Sequence, residues 1–383
     1  MKIVIAPDSF KDALRGSEAA AAFAEGWRSR RPDDELVTIP RSDGGEGLTD
    51  AVISATGGSF RTVEAHDPLM RPTAARIGFT GGTHRRAVME MAAASGIELL
   101  KREERDPLRT TTFGAGELLA DLLDGDPEEI IVGIGGSATV DGGAGLLQAL
   151  GARFFDAAGG ELPPGMGGGD LERACKADFS GLHPALRRTR IRIACDVTNP
   201  LLGETGAAAV FGPQKGATPE TVAELERQLA HWQHLLLETL RKPDLVPDAP
   251  GDGAAGGLGF ALRTVIAGIP ESGAELVLEI TGMKEALRGA SLLVTGEGCS
   301  DSQTVCGKLP AVAAETARKL GVPTVLCSGA LRGDTAPLEA LFAGVFSIAA
   351  GPGSLDDAIA ATRANLRRCG ANLAGLARTF AER

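Results

Sequence analysis

Acidic residues stand in candidate loops, most of them close to glycines, at six places in this 383-residue chain: Asp8, the pair Asp43 and Glu46, Asp141, Asp196, Glu297 and Asp301. Capping or turn chemistry explains one such residue, but so many suggest convergence on a common point. Gathered carboxylates repel one another unless a divalent cation joins them, and Mg²⁺ favours a few carboxylates together with phosphate oxygens. Lysines accompany the same loops: Lys11 after Asp8-Ser9-Phe10, Lys215 in Gly212-Pro213-Gln214-Lys215-Gly216, and Lys308 after Cys306-Gly307. Phosphoryl transfer needs cations on its non-bridging oxygens, and a lysine ammonium serves. None of the five histidines (66, 84, 183, 231, 234) lies in these loops, so a carboxylate is the expected base.

The glycine strings are the second signal. A strand over Ile130–Ile134 runs into Gly135-Gly136-Ser137-Ala138-Thr139-Val140-Asp141-Gly142-Gly143-Ala144-Gly145 and then a helix through Leu150. Strand, flexible loop and helix start together offer backbone N–H donors and a positive dipole end, for which phosphate is the natural guest. The same stretch matches a dinucleotide fingerprint only weakly, as Gly133-x-Gly135-x-x-Ala138 with Asp156 downstream, because the first glycine falls inside the strand. Gly251-x-Gly253-x-x-Gly256 matches in full but follows a proline-rich stretch in place of a strand. No GxxxxGK[ST] string occurs, which excludes a P-loop enzyme.

The elements that must position these residues read as α/β. Lys2–Ile5 and Leu36–Pro40 are short strands, each followed by a polar loop and a helix, the first capped by Ser17-Glu18 and running to Arg28, the second running to Ala55. Alternating stretches at 61–66, 73–80 and 85–90 predict mixed or antiparallel sheet. The parallel rhythm returns with strands Ser291–Thr295, Thr324–Cys327 and Val345–Ala349 and helices 308–319 and 354–369. The middle therefore reads as an insertion, in which Val222, Leu225, Leu229, Trp232 and Leu236 form one buried helix face between Pro219 and Lys242, with His231 and His234 exposed on that helix.

Composition sets the outer bounds. Apolar content of 43% and charged content of 23% are ordinary for a globular protein, while 52 glycines are nearly twice the usual share. A net charge of −11 argues against nucleic-acid or membrane-surface partners. The apolar run after Met1 is too short for a signal segment, so the expected location is the cytoplasm. Six cysteines without CxxC pairs fit reduced thiols.

These segments resemble the bacterial glycerate kinase family, of the type found in glyoxylate and glucarate metabolism. The resemblance runs nearly end to end through Ala6-Pro7-Asp8-Ser9-Phe10-Lys11, Asp43-Gly44-Gly45-Glu46-Gly47 and the stretch Gly133 to Gly143. It continues in Cys195-Asp196-Val197-x-Asn199-Pro200-Leu201, Phe211 to Ala217, Gly253 to Gly259, and Thr295-Gly296-Glu297-Gly298-x-x-Asp301-x-Gln303-Thr304-x-x-Gly307-Lys308. It implies ATP- and Mg²⁺-dependent phosphorylation of D-glycerate, with 2-phosphoglycerate the product expected of this branch and 3-phosphoglycerate the alternative. It further implies a Rossmann-like parallel-sheet domain interrupted by a large inserted mixed α/β domain, with the active site in the cleft; the boundaries expected here are 1–62 and 287–383 for the first and 63–286 for the second, in a chain that is a monomer or homodimer.

On that resemblance Asp196 is the first choice of base, with Asp8 and Lys11 also catalytic; Ser9, Asp43, Asn199, Gln214 and Lys215 bind substrate. Gly135, Gly136, Ser137, Thr139, Asp141, Gln303 and Lys308 hold the nucleotide, and Glu297, Asp301 and Glu46 the metal. Cys299 and Ser300 stand where the family commonly has a basic and an aliphatic residue, and Val140 where it has Asn. Two rivals are weaker: a nicotinamide-dependent dehydrogenase of small hydroxy acids leaves the acidic and lysine loops unexplained, and a metabolite-sensing module finds no DNA-binding helix pair or basic patch.

Overall fold

The computed structural model describes residues 1–11, 13–39, 47–82, 85–241, 246–305 and 309–381. Asp43, Glu46 and Lys308 lie outside the described residues. Among the described residues eleven strands form the two main sheets: β1 (Lys2–Ile5), β2 (Glu35–Thr38), β3 (Ser59–His66), β4 (Pro72–Phe79), β5 (Arg86–Glu90), β6 (Glu129–Gly133), β7 (Arg190–Ala194), β8 (Ile269–Glu271), β9 (Leu292–Thr295), β10 (Thr324–Ser328) and β11 (Gly344–Ser347). The helices that cover these sheets or flank the loops at their edges include α1 (Gly16–Arg28), α2 (Leu48–Thr56), α3 (Phe113–Asp124), α4 (Ala144–Ala149), α5 (Pro219–Leu240), α6 (Leu258–Thr264), α7 (Leu309–Lys319), α8 (Leu355–Ala360) and α9 (Thr362–Ala381). The chain divides into two compact units, one of Met1–Asp43, Ser54–Thr56 and Ala274–Arg383, the other of Gly44–Ile53 and Gly57–Gly273.

The first unit is built on a fully parallel sheet in the order β11-β10-β9-β1-β2. Its inner strands β1, β9 and β10 are near-continuous apolar runs because both faces are covered, whereas the edge strands β2 and β11 are partly exposed. Ile3 and Ile5 point to a cluster with Phe23 and Trp27 of α1 and Leu366 and Ala374 of α9. Val4 and Ala6 point the other way, to Leu287 and to Ala313 and Ala317 of α7. The expected N-cap moves by one or two residues: α1 begins at Gly16, and the Glu18 carboxylate accepts from Arg15 N–H at 3.0 Å, so Ser17 lies inside the helix. The single helix expected over 354–369 is two, capped at its start by Ser354 and continuing as α9 to Ala381.

The second unit holds a six-stranded mixed sheet, β8-β7-β6-β5-β4-β3, antiparallel from β3 to β5 and parallel from β5 to β8. β3 and β4 pair from Ser59 with Phe79 to His66 with Pro72, somewhat longer than their alternation predicts. Their core joins Ile130 and Val132 of β6, Leu118 and Leu122 of α3, and Leu225, Leu229, Trp232 and Leu236 of α5, all fully buried. α5 starts at Pro219 with the Thr218 hydroxyl accepting from Thr221 N–H at 3.3 Å, a proline-led N-terminus. His231 is half-buried, not exposed as expected: its Nε2 donates to Ala174 O at 2.7 Å. Among the described residues no helix is long and apolar enough to cross a membrane.

Candidate functional site

Parallel strands of one sheet all end on the same side, so the loops that follow them gather there, and open α/β sheets bind ligands at that edge. In the first unit this edge carries a cavity of ≈ 460 Å³. Asp8, Ser9 and Lys11 reach it from the loop after β1, Glu297 and Cys299 from that after β9, Gly329 from β10, and Ile348 and Ala349 from β11. Its remaining wall comes from α8 and α9, through Leu355, Ala358, Ile359, Thr362 and Asn365. One side is thus polar and charged, the other largely apolar.

The β1 loop is pinned at both ends. Asp8 N–H donates to Gly296 O at 2.7 Å, Ser9 N–H donates to the Asp8 carboxylate at 2.6 Å, and Phe10 and Leu14 exchange backbone hydrogen bonds at 2.8 and 2.9 Å. Phe10 is buried, which anchors the turn and leaves Lys11 exposed at the cavity. Glu297 is held from beneath: its Oε1 accepts from Ser300 Oγ and from Thr304 Oγ1, each at 2.8 Å. Ser300 Oγ in turn lies 2.6 Å from Ser328 Oγ, at the end of β10. Ser300, Thr304 and Ser328 are all fully buried. A serine hydroxyl has one proton, so with that of Ser300 donated to the carboxylate, Ser328 is the donor in their pair. Gly296 lets these loops approach, since a Cβ there would fall 1.9 Å from Cys327 O.

Asp301 and Gln303 are not on the cavity wall. Asp301 Oδ1 accepts from Gln303 N–H at 2.8 Å, a local turn that sets Thr304 beneath Glu297. Sequence reasoning passed over Ser300, Thr304 and Ser328; hydroxyls three and seven residues after Glu297 are the signal for two of them.

In the second unit the parallel strands end level, with Glu90 opposite Gly133, Gly133 opposite Ala194 and Ala194 opposite Glu271. Beyond that line stand exposed Gly135, Gly136 and Asp196. Asp196 Oδ1 accepts from Ser272 Oγ and Gly273 N–H, both at 2.9 Å. Asn199 Nδ2 donates to Thr205 O at 2.8 Å and Gln214 is exposed. Glu90, which the same strand-end rule could have singled out, accepts from the N–H groups of Gly47, Leu48 and Thr49 at 2.8, 3.3 and 3.2 Å, capping α2. Burial pushes its carboxyl above the usual range, against the pull of those donors.

The rest of the 135–143 loop turns inward. Asp141 is fully buried and accepts from Thr112 N–H and Oγ1, both at 2.7 Å, and from Gly143 and Gly145 N–H at 3.1 and 3.3 Å. Two of the amide donors that the sequence offers to a phosphate, those of Gly143 and Gly145, are thus engaged by the chain's own carboxylate. Burial raises the Asp141 pKa, with these donors opposing. Lys215, 2% exposed, donates from Nζ to Ser137 Oγ at 2.7 Å and Thr139 O at 2.8 Å. Burial pulls its pKa down to about 7, with nearby Asp141 acting in the other direction. The complete GxGxxG string also packs inward: Gly256 has φ +67°, and a Cβ on it would lie 1.9 Å from Thr139 O. Asp252 within it is clamped by Arg263, both contacts at 2.7 Å.

Known proteins match this chain over nearly its whole length. The sequence profile of the glycerate kinase family matches residues 3–378. A glycerate 2-kinase of Escherichia coli (strain K12) is 44% identical over 375 residues, covering 98% of this chain and 97% of that relative. A glycerate kinase of Halalkalibacterium halodurans is 43% identical over 373 residues, covering 97% of each chain. A crystal structure described as a candidate glycerate kinase 2 of Salmonella typhimurium LT2 superposes with a TM-score of 0.90 at 42% identity, covering 100% of both chains.

Proposed function

Because the chain belongs to the glycerate kinase family, we propose that it transfers the γ-phosphoryl group of ATP to the 2-hydroxyl of D-glycerate, giving 2-phosphoglycerate. The observation that carries the site is the cavity at the carboxyl edge of the parallel sheet, where Asp8, Ser9, Lys11 and Glu297 share one wall. We take the first unit as the nucleotide-binding domain and that cavity as the home of ATP. This departs from a nucleotide on the 135–143 loop, because Ser137 and Asp141 are buried and internally bonded and Thr139 is buried with its carbonyl taken by Lys215. Gly135 and Gly136 stay exposed and remain candidates for contact with the reactants.

Phosphoryl transfer is catalysed mainly by positioning and by charge placed where the transferring group passes. Lys11 offers the mobile cation for the phosphate oxygens. Glu297 offers a carboxylate whose orientation is fixed by Ser300 and Thr304 before any ligand arrives. Among the described residues no group of three or more His, Cys, Asp or Glu could hold an ion by itself. The hard oxygens of Asp8 and Glu297 suit Mg²⁺, which is commonly bound by one or two carboxylates together with substrate phosphates. When bound, Mg²⁺ neutralises charge on the β- and γ-oxygens. Asp196, exposed at the sheet edge of the second unit, is our candidate to accept the hydroxyl proton, with Asn199 and Gln214 as candidate contacts of the acceptor.

The test is ADP release with D-glycerate, with NMR identification of the phosphorylated carbon. Lys11→Ala and Asp196→Asn should each lower kcat/KM by a few kcal/mol of barrier, roughly 10²-fold or more, with unfolding midpoints unchanged. Wild-type turnover in both variants would remove these role assignments, and phosphate on the 3-carbon would overturn the regiochemistry.

A further inference from the structure

Asn365, on α9, lines the cavity with 8% of its surface exposed. Its backbone N–H donates within the helix to Ala361 O at 2.9 Å, but among the described residues no hydrogen bond reaches its carboxamide. Thr362, the other polar side chain on this wall, already donates to Ala358 O at 3.0 Å. Around Asn365 the wall is apolar, formed by Ile348, Ala349, Leu355, Ala358 and Ile359. A mostly buried amide that lines a cavity and has no partner in the protein keeps its hydrogen-bonding groups for what enters the cavity. An apolar slot with one unmatched amide is the usual form of a site for a flat heterocycle, where shape holds the ring and the polar group selects it.

We propose that Asn365 selects adenine, its carboxamide oxygen accepting from the exocyclic amino group while its NH₂ donates to the neighbouring ring nitrogen. A carboxamide presents one acceptor and one donor side by side, and adenine presents the complementary pair. The inference rests on the reading that this cavity holds ATP, and it adds the residue that distinguishes ATP from other nucleoside triphosphates.

Steady-state kinetics with ATP and GTP, at saturating D-glycerate, tests it in three variants. Asn365→Asp replaces the donor with a second acceptor, which no adenine edge matches but the adjacent N–H donors of guanine do. The kcat/KM for ATP should fall roughly ten-fold or more, mostly through KM, and the ATP-to-GTP ratio should swing toward GTP. Asn365→Leu, close in size and suited to an apolar wall, should lose ATP preference without gaining GTP use. An unchanged ratio in Asn365→Leu overturns the assignment, and this variant decides alone should Asn365→Asp fail to fold. Ile359→Asp, which puts a charge into the slot, separates the two levels. If the KM for ATP is unmoved there, the cavity does not hold the nucleotide and both readings fall; if it rises while the Asn365 variants keep their ratio, only the adenine assignment falls.

Discussion

Lys215 carries a charge that its surroundings resist. Enclosed by the second unit, its ammonium has Ser137 Oγ and Thr139 O as partners and a pKa drawn down to about 7 from the ordinary value of 10.5. A lysine whose folded pKa is depressed binds fewer protons when folded than when unfolded throughout the window between those two values. The unfolding free energy should therefore rise with pH from about 7 to about 10.5, while below 7 both states are protonated and the cost of burial is felt in full. Urea unfolding at a series of pH values should show that rise in the wild type and lose it in Lys215→Met. An identical slope in the two proteins would mean the side chain is not buried as a titrating group.

The start of α2 illustrates how an element is secured by a residue far away in sequence. Helices leave their first N–H groups without partners, and here Glu90, at the end of β5, takes three of them. Glu90→Ala should cost about 1–3 kcal/mol of stability, the range for removing a hydrogen-bonded partner of buried donors. Amide exchange at residues 47–49 should speed up by more than exchange in β6; equal protection would show that the helix start does not depend on Glu90. The elements differ in how legible they are in the sequence. The strands after residue 290 are readable because a parallel strand covered on both faces is a short apolar run, and β3 to β5 because one-sided burial alternates. Glu297 and Asp8 are readable as acids after strands. Asn365 is not: it lies in a helix between exposed Arg363 and Arg367, and nothing in its local sequence marks it as a cavity residue. Asp141 and Lys215 are visible as charged residues in loops, but spacing cannot tell inward from outward, and here both turn in.

At the scale of the molecule, the sheet of the first unit is sewn from the two extremes of the chain, with Ile3 beside Leu292 and Ile5 beside Val294, while the second unit is almost one continuous stretch from Gly57 to Gly273. On the ribosome, then, the order of completion is set by topology. The later-encoded strand β9 must emerge before β1 has its neighbour on that side, so the N-terminal strand waits through most of translation while the middle of the protein can already fold. Nascent chains stalled soon after residue 273 should show protease resistance over 57–273 and none over 1–39, with the N-terminal segment gaining protection only after the full chain is released. Early protection of the N-terminus would contradict this. Since the cavity requires loops from β1, β9, β10 and β11 together, it is completed as one of the last events of synthesis, and a truncated product lacks the nucleotide site proposed there.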